Sequence, residues 1–284
     1  MDWQKRLEDA LEFIESNLEA SLPVETIAKA VYSSPFHFQR MFHIWSGITL
    51  GEYVRKRKLT LAAQELAGSS VKVVDVAFKY GYESPEAFCK AFRKLHGVSP
   101  SEARKPGVAI KAFPRVSFEP HTLGDGEVEY RIVERDAFTV VGTSAQLSCG
   151  SEGRTRQWFW GASRGDGTFA KLSALETDTP LLGITMNFEE EFTYMIAREA
   201  DAAALADVLF LQTIPASTWA VFPCAGPIPE AIQNGLRNIY KLWFPATEFE
   251  HAGLPELEVY LPGDAQAEDY RCEAWIPIVK KTVI

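Results

Sequence analysis

The sequence predicts two successive folds in one chain: an all-α domain of two helix-turn-helix units, then an α+β domain with an antiparallel sheet. Three observations predict this. A dense residue pattern occurs twice within the first hundred residues, starting at Ser34 and again at Ser84. The apolar period then changes from helical to alternating beyond a stretch rich in Pro and Gly. Past that stretch, the order strand–helix–strand–strand itself recurs, which suits one sheet with both helices on one face. The boundaries fall at 1–105 for the helical domain, 106–127 for a linker and 128–284 for the α+β domain.

Both copies of the first repeat read S-P-x-x-F-x-[RK]-x-F-x-x-x-x-G-[IV]-[ST]-x-x-E. Ser34 and Ser84 can cap free N–H groups at a helix start, and Pro35 and Pro85 fit the first helical position. Phe38, Phe42 and Trp45 make one apolar stripe, as do Phe88, Phe92 and Leu95. Gly47 and Gly97 supply the left-handed residue that ends each helix. A shorter amphipathic segment precedes each copy, VETIAKAV at 24–31 and VVDVAFKY at 73–80, followed by a brief turn. Short helix, tight turn and second helix make a helix-turn-helix, twice.

Between the two units, EYVRKRKLTLAAQEL (52–66) forms one helix with Val54, Leu59, Ala62 and Leu66 apolar. Its length, about 22 Å, suits two reading helices spaced roughly 34 Å apart, one turn of DNA.

The outward faces carry the chemistry. In the first unit they hold Phe36, His37, Gln39, Arg40 and His43; in the second, Glu86, Ala87, Cys89, Lys90 and Arg93. Gln, Arg and Lys near a helix N-terminus are side chains that read base edges in a major groove. Two hairpins that only pack into a bundle would not need basic residues at matching sites. Arg55, Lys56, Arg57 and Lys58 on the middle helix, with Arg93, are candidate phosphate contacts, although a solvated face would look similar.

Charge divides the same way. The chain carries a formal net charge of −9. Yet residues 29–105 hold 13 Lys and Arg against 6 Asp and Glu, while residues 106–284 hold 14 against 25. A polyanion is therefore expected to meet only the first part.

In the second part, 128–147, 181–188, 192–198, 211–226, 257–263 and 270–279 alternate as strands, with helices within 152–176 and at 229–244. The sheet face opposite the helices is the expected binding face. Glu258 and Tyr260 point one way along their strand, Glu273 and Trp275 alternate along theirs, and all four can face a common space. Tyr194, Trp219 and Trp243 add aromatic bulk. A carboxylate among aromatic walls suits a lipophilic cation, through charge pairing and attraction to ring faces. For every one of these residues except Glu258, a wet face or the core is the blander alternative.

Composition narrows the classes further. With 46% hydrophobic and 24% charged residues, the chain is globular rather than disordered. The start, MDWQKRLEDALEF, lacks the basic and apolar regions of a signal peptide, and no stretch is apolar enough to span a membrane. Cys89, Cys149, Cys224 and Cys272 are far apart without C-x-x-C spacing. Neither a metal site, a cofactor nor a disulfide framework is expected, and the cytoplasm is the expected location.

Residues 1–105 resemble the AraC/XylS transcription regulators. The resemblance rests on SSPFHFQRMF, GITLGEYVRKRKLTLAAQEL, VVDVAFKYGYESPEAFCKAFRKLHGVSP and a leading helix with Leu7, Leu11, Ile14 and Leu18 apolar. It implies that Phe36, Gln39 and Arg40 read one groove, and that Glu86, Ala87, Cys89 and Lys90 face the next. Pro85 and Glu86 depart from the amides usual there, and Glu86 would repel phosphates, so weaker readout by the second unit is implied. Residues 128–280 resemble the gyrase-inhibitor-like (GyrI-like) effector-binding domains through TWAVFPCAG, LWFPATEFE, PELEVYLPG and EAWIPIV. That resemblance implies a ligand-pocket glutamate two residues before a tyrosine, which matches Glu258 and Tyr260.

The expectation is a regulator that binds double-stranded promoter DNA and senses a small molecule. Activation, with RNA polymerase as a further partner, is expected by analogy with the family. The rival is a GyrI-like hydrolase with Glu258 as general base, though the sequence offers no nucleophile–base pair, metal cluster or phosphate-binding glycine motif. A third reading gives the C-terminal half a protein partner and no ligand.

Overall fold

The computed structural model describes residues 3–105, 107–118, 128–148, 155–175, 178–189, 191–200 and 210–281. Cys149 and part of the 106–127 stretch lie outside the described residues. The chain forms two compact units. One comprises Met1–Pro35 and Ser46–Pro120, the other Phe36–Trp45 and His121–Ile284.

The first unit contains α1 (Trp3–Ser16), α2 (Val24–Ala30), α4 (Leu50–Gly68), α5 (Val73–Lys79), α6 (Pro85–His96) and α7 (Pro100–Ala103). The apolar stripes read from the sequence face inward: Leu7, Leu11 and Ile14 of α1 are buried, as are Leu59, Ala62 and Leu66 of α4. Phe88 and Phe92 of α6 join Leu59, Ala62, Leu66, Val76 and Ala77 in one cluster. Full burial of a Leu, Val or Phe side chain contributes about 1.5–3 kcal/mol.

The end of the repeated pattern has a local cause. Thr49 caps α4 by accepting from the Glu52 N–H at 3.2 Å. Ser99 and Glu102 form a reciprocal capping box on α7. Gly97 ends α6 at φ 81°, as a left-handed cap requires. Residues 107–118 are anchored within this unit: Phe113 donates its N–H to Thr60 at 3.0 Å, and Phe118 is buried.

Among the described residues, the second unit is built on a nine-stranded antiparallel sheet. Its strands are β1 (Arg131–Arg135), β2 (Phe138–Ser148), β3 (Leu181–Met186), β4 (Glu191–Glu199), β5 (Phe210–Ile214), β6 (Ser217–Ala225), β7 (Phe249–His251), β8 (Glu256–Tyr260) and β9 (Arg271–Lys280). The order is β1-β6-β9-β8-β3-β4-β2-β5, with β7 pairing β9. This order is a two-fold arrangement about the β3–β8 seam, so the recurring strand–helix–strand–strand units are the two halves of the sheet. β1 and β5 each pair with the opposite half.

Two short helices, α8 (Arg156–Gly165) and α9 (Thr168–Ser173), follow β2. After β6 comes α10 (Glu230–Asn238), extended by a π-helical turn at Ile239–Trp243 and a last turn at Phe244–Ala246. The helices share one sheet face: Phe159, Leu172 and Leu175 pack with Tyr194 and Ile196, and Phe222 meets Trp243. On the other face Leu182, Ile184, Met195, Trp219, Leu257 and Val259 form a separate cluster.

α3 (Pro35–Ser46) carries the first copy of the repeat, yet its residues 36–45 belong to the second unit.

Candidate effector cavity and nucleic-acid interface

The two copies of the reading helix have different surroundings. On α6, Glu86, Ala87, Lys90 and Arg93 are exposed, and Cys89 is half-buried beside the core. On α3, Phe36 and Gln39 are half-buried, while His37 and Arg40 are buried. Arg40, expected on an outward face open to DNA, is only 3% exposed, because that face is covered. Arg40 Nε donates to Glu256 Oε1 at 2.8 Å and Nη2 to Oε2 at 2.5 Å. The Tyr240 hydroxyl donates to the same carboxylate at 2.5 Å.

Burial alone would raise the Glu256 carboxyl, but the Arg40 charge overrides it, aided by His251 and Tyr240, and holds it well below the usual carboxylate range. Burial holds His251 below its ordinary value, so the ring is neutral at pH 7.

Of the basic residues on α4, Arg55 is exposed. Arg57 is committed to Glu15 through two hydrogen bonds of 2.9 and 2.7 Å and to the Phe113 carbonyl at 2.6 Å. Lys58 donates to the Ala20 carbonyl at 3.0 Å, and burial lowers its pKa. Lys56 pairs with Glu52 at 2.7 Å. The structure thus gives Arg57 an internal anchoring role that the sequence did not reveal.

A cavity of about 800 Å³ opens on the helix-bearing face of the sheet, lined by α8 and α9 on one side, α10 on the other and the β3–β8 seam beneath. The expected location on the opposite face is corrected. Glu258 is 4% exposed and lies at the cavity wall. Its Oε2 accepts the Tyr194 hydroxyl at 2.5 Å and the Tyr260 hydroxyl at 2.7 Å. Burial, reinforced by the Glu258 charge, raises both phenols well above their ordinary value, so they remain protonated donors. Trp160 Nε1 donates to the Tyr194 hydroxyl at 3.1 Å, and its ring meets Tyr260 edge-on at 5.0 Å. Arg156 Nε stands 3.8 Å from the other carboxylate oxygen, too far for a hydrogen bond.

Register explains which expected residues meet here. Gly183 lies opposite Glu258 across the seam, and a Cβ at Gly183 would collide with the Tyr194 hydroxyl and with Glu258. Gly183→Ala is therefore expected to break the Tyr194–Glu258 bond at an overpacking cost of about 1–3 kcal/mol. Calorimetric titration with a cavity ligand should show the loss, and unchanged affinity would reject the role given to Gly183.

Glu273 and Trp275 do not join this site. Val259 pairs with Glu273 and Leu257 with Trp275, so both point to the opposite face from Glu258. There Glu273 accepts from Trp275 at 2.8 Å and pairs with Arg131 at 2.8 Å. Trp219 is buried on that face against Trp275. Trp243 is on the helix side but packs with Tyr130, Phe222 and Phe249, outside the cavity lining. Of the expected ligand residues, Glu258, Tyr260 and Tyr194 line the cavity. Arg156, Trp160, Phe169 and Leu236 were not foreseen. RQWFW carried a signal for the first two, an i,i+4 pair on an amphipathic helix.

Among the described residues, no group of three or more His, Cys, Asp or Glu could hold a metal ion, and no helix is long and apolar enough to cross a membrane.

Similarity to known proteins follows the same two-part division. Residues 27–106 match a helix-turn-helix domain family, and residues 131–278 match the integron-associated effector binding protein family. The probable transcription factor PqrA of Proteus vulgaris is 35% identical over 115 residues, 40% of this chain and 94% of the relative. The transcriptional activator AarP of Providencia stuartii is 38% identical over 95 residues, 34% of this chain and 70% of the relative. The solved structure of SAV2435 bound to tetraphenylphosphonium is similar to the second part, with a TM-score of 0.47 and 25% identity, covering 53% of this chain and 94% of the other. The chain belongs to the AraC-type helix-turn-helix transcription regulators, and its residues 131–278 form an effector-binding domain of the integron-associated, GyrI-like family.

Proposed function

We propose that the chain couples a lipophilic cation, bound at Glu258, to occupancy of promoter DNA in the cytoplasm, with activation through RNA polymerase as the outcome. The functional division follows 1–105, 106–127 and 128–284. One observation carries the ligand class: a buried carboxylate stands in an aromatic-walled cavity of about 800 Å³, with one oxygen held by two phenols and the other 3.8 Å from Arg156. In so dry a place a cation gains both charge pairing and ring-face attraction.

Titration of the protein with tetraphenylphosphonium and with tetraphenylborate, alike in shape and opposite in charge, tests the reading. Binding of the cation alone supports it. Binding of the borate alone favours a second reading, an anionic amphiphile met by Arg156, Arg164 and Arg198 in the cavity wall.

We infer a binding role for Glu258 rather than catalysis. Its two closest partners are phenols held protonated by burial and by the carboxylate itself, so neither serves as a nucleophile near pH 7. Turnover of a bound ligand in the absence of DNA would overturn that inference.

On DNA, Phe36, Gln39 and Arg40 of α3 read one groove, and Ala87, Cys89 and Lys90 of α6 the next. Glu86 weakens the second contact, and Arg55, Lys58 and Arg93 meet phosphates. Arg40→Ala is expected to cost about 1–3 kcal/mol on the cognate site and to relax specificity at one position. Competition binding on single-base variants of a selected site measures this, and a uniform loss on all sequences would demote Arg40 to a phosphate contact.

A further inference from the structure

We propose that the first reading helix is stored in the effector unit, with the DNA-facing side of α3 docked on Glu256, Tyr240 and His251, so that this arrangement is closed to two-groove DNA binding. The proposal rests on the reading of α3 as a base-reading helix. Its support is the set of contacts along one side of α3, all made within the second unit.

Phe36 stacks on His251 with ring centroids 4.4 Å apart. His37 Nδ1 accepts the His251 backbone N–H at 3.3 Å, and the His37 ring meets Phe244 edge-on at 4.7 Å. Arg40 lies 4.3 Å above the Phe188 ring while both ends of its fork are bound to Glu256. Off that side, Trp45 of the apolar stripe also reaches this unit, its Nε1 3.5 Å from the Tyr240 carbonyl.

The same fork is what a guanidinium presents to a guanine edge. Arg40 cannot hold Glu256 and a base together, so the two engagements exclude each other. The second copy of the repeat sharpens the contrast: Lys90, which occupies the position of Arg40, is exposed. One copy is open and the other is closed.

The dock also shares a strand with the effector cavity. Glu256 and Glu258 are two residues apart on β8 and point to the same face. A ligand that shifts β8 therefore acts on both sites, provided it binds the docked and released forms with different affinity.

A cross-link tests the store directly. A Cβ built at Gly253 lies 3.8 Å from the Phe36 Cβ, a separation suited to a disulfide. Full-length Phe36→Cys/Gly253→Cys is expected to cross-link on oxidation. Its affinity for a duplex selected from a random pool should then fall by about tenfold or more, because only the undocked fraction binds. Reductant should restore it. The comparison is between two redox states of one protein, so any direct loss from changing Phe36 cancels.

Gly253 has a positive φ of 76°, which strains a cysteine there, so Tyr240→Phe provides a second route. That variant removes a hydroxyl donated to Glu256 and should tighten DNA binding several-fold while speeding hydrogen exchange across 36–45. Absence of the cross-link in folded double-cysteine protein, or equal DNA affinity in both redox states, overturns the proposal. Base preference unchanged at every position of the site in Arg40→Ala would instead remove the reading on which the proposal rests.

Discussion

Glu258→Gln is expected to abolish the preference for cations while leaving the cavity intact. The substitution keeps shape and hydrogen-bonding capacity but removes the one negative charge held by Tyr194 and Tyr260. At about 4–5 Å and an effective dielectric near 20, a unit charge pair is worth roughly 3–4 kcal/mol. Binding of tetraphenylphosphonium should therefore weaken by about a hundredfold or more. Arg156→Gln should act in the opposite direction, since its charge stands 3.8 Å from the same carboxylate and opposes a cation there. Arg156 is partly exposed, which screens the gain to a few-fold. Calorimetry on both variants separates the two signs. A cation bound equally well by wild type and Glu258→Gln would assign its affinity to the aromatic walls alone.

The part of this site that was legible in the sequence is the part fixed by one strand. Glu258 and Tyr260 are two residues apart and must share a face whatever their neighbours do. Glu273 and Trp275 belong to the next strand, and their face depends on register. Pairing Glu258 with Ala274 sends them to the far side, and a slip of one residue would have reversed the result. The helical repeat was legible because caps, apolar stripes and left-handed glycines act within a single turn of chain. Gly183 was not, because its meaning lies in Tyr194 and Glu258, which only the folded sheet brings against it. Arg40 was the hardest case. Nothing local distinguishes it from Lys90, and its burial requires Glu256, 216 residues away.

Glu256→Gln should loosen α3 more than any other single change on the dock. Removing one partner of a buried ion pair strands the other charge and costs about 3–5 kcal/mol. Here the stranded Arg40 has an exit that most buried charges lack, which is to leave with its helix. The loss is thus expected as faster exchange across 36–45 and tighter DNA binding rather than as global unfolding. Replacing both partners, Arg40→Met with Glu256→Met, should reseat α3, because a well-packed apolar pair matches or exceeds a buried ionic one. That double variant should stay docked and lose DNA binding. Slow exchange across 36–45 in Glu256→Gln would show that Arg40 is not what holds the helix.

Acid should work in the same direction as Glu256→Gln. The Glu256 carboxyl is depressed when docked, so its contribution is complete above the ordinary carboxylate range and fades as pH falls through the lowered value. His251 is also depressed, by burial. The released or unfolded state takes up its proton first, at about 6.5, so docking starts to weaken there and weakens further below about 4.5. A dock made of a charge pair and a neutral histidine is one that water, phosphate or a base edge can replace, whereas an apolar seam would have to be pulled apart. An ionic contact that adds little net stability over an apolar one therefore makes physical sense at a place where the helix must come off.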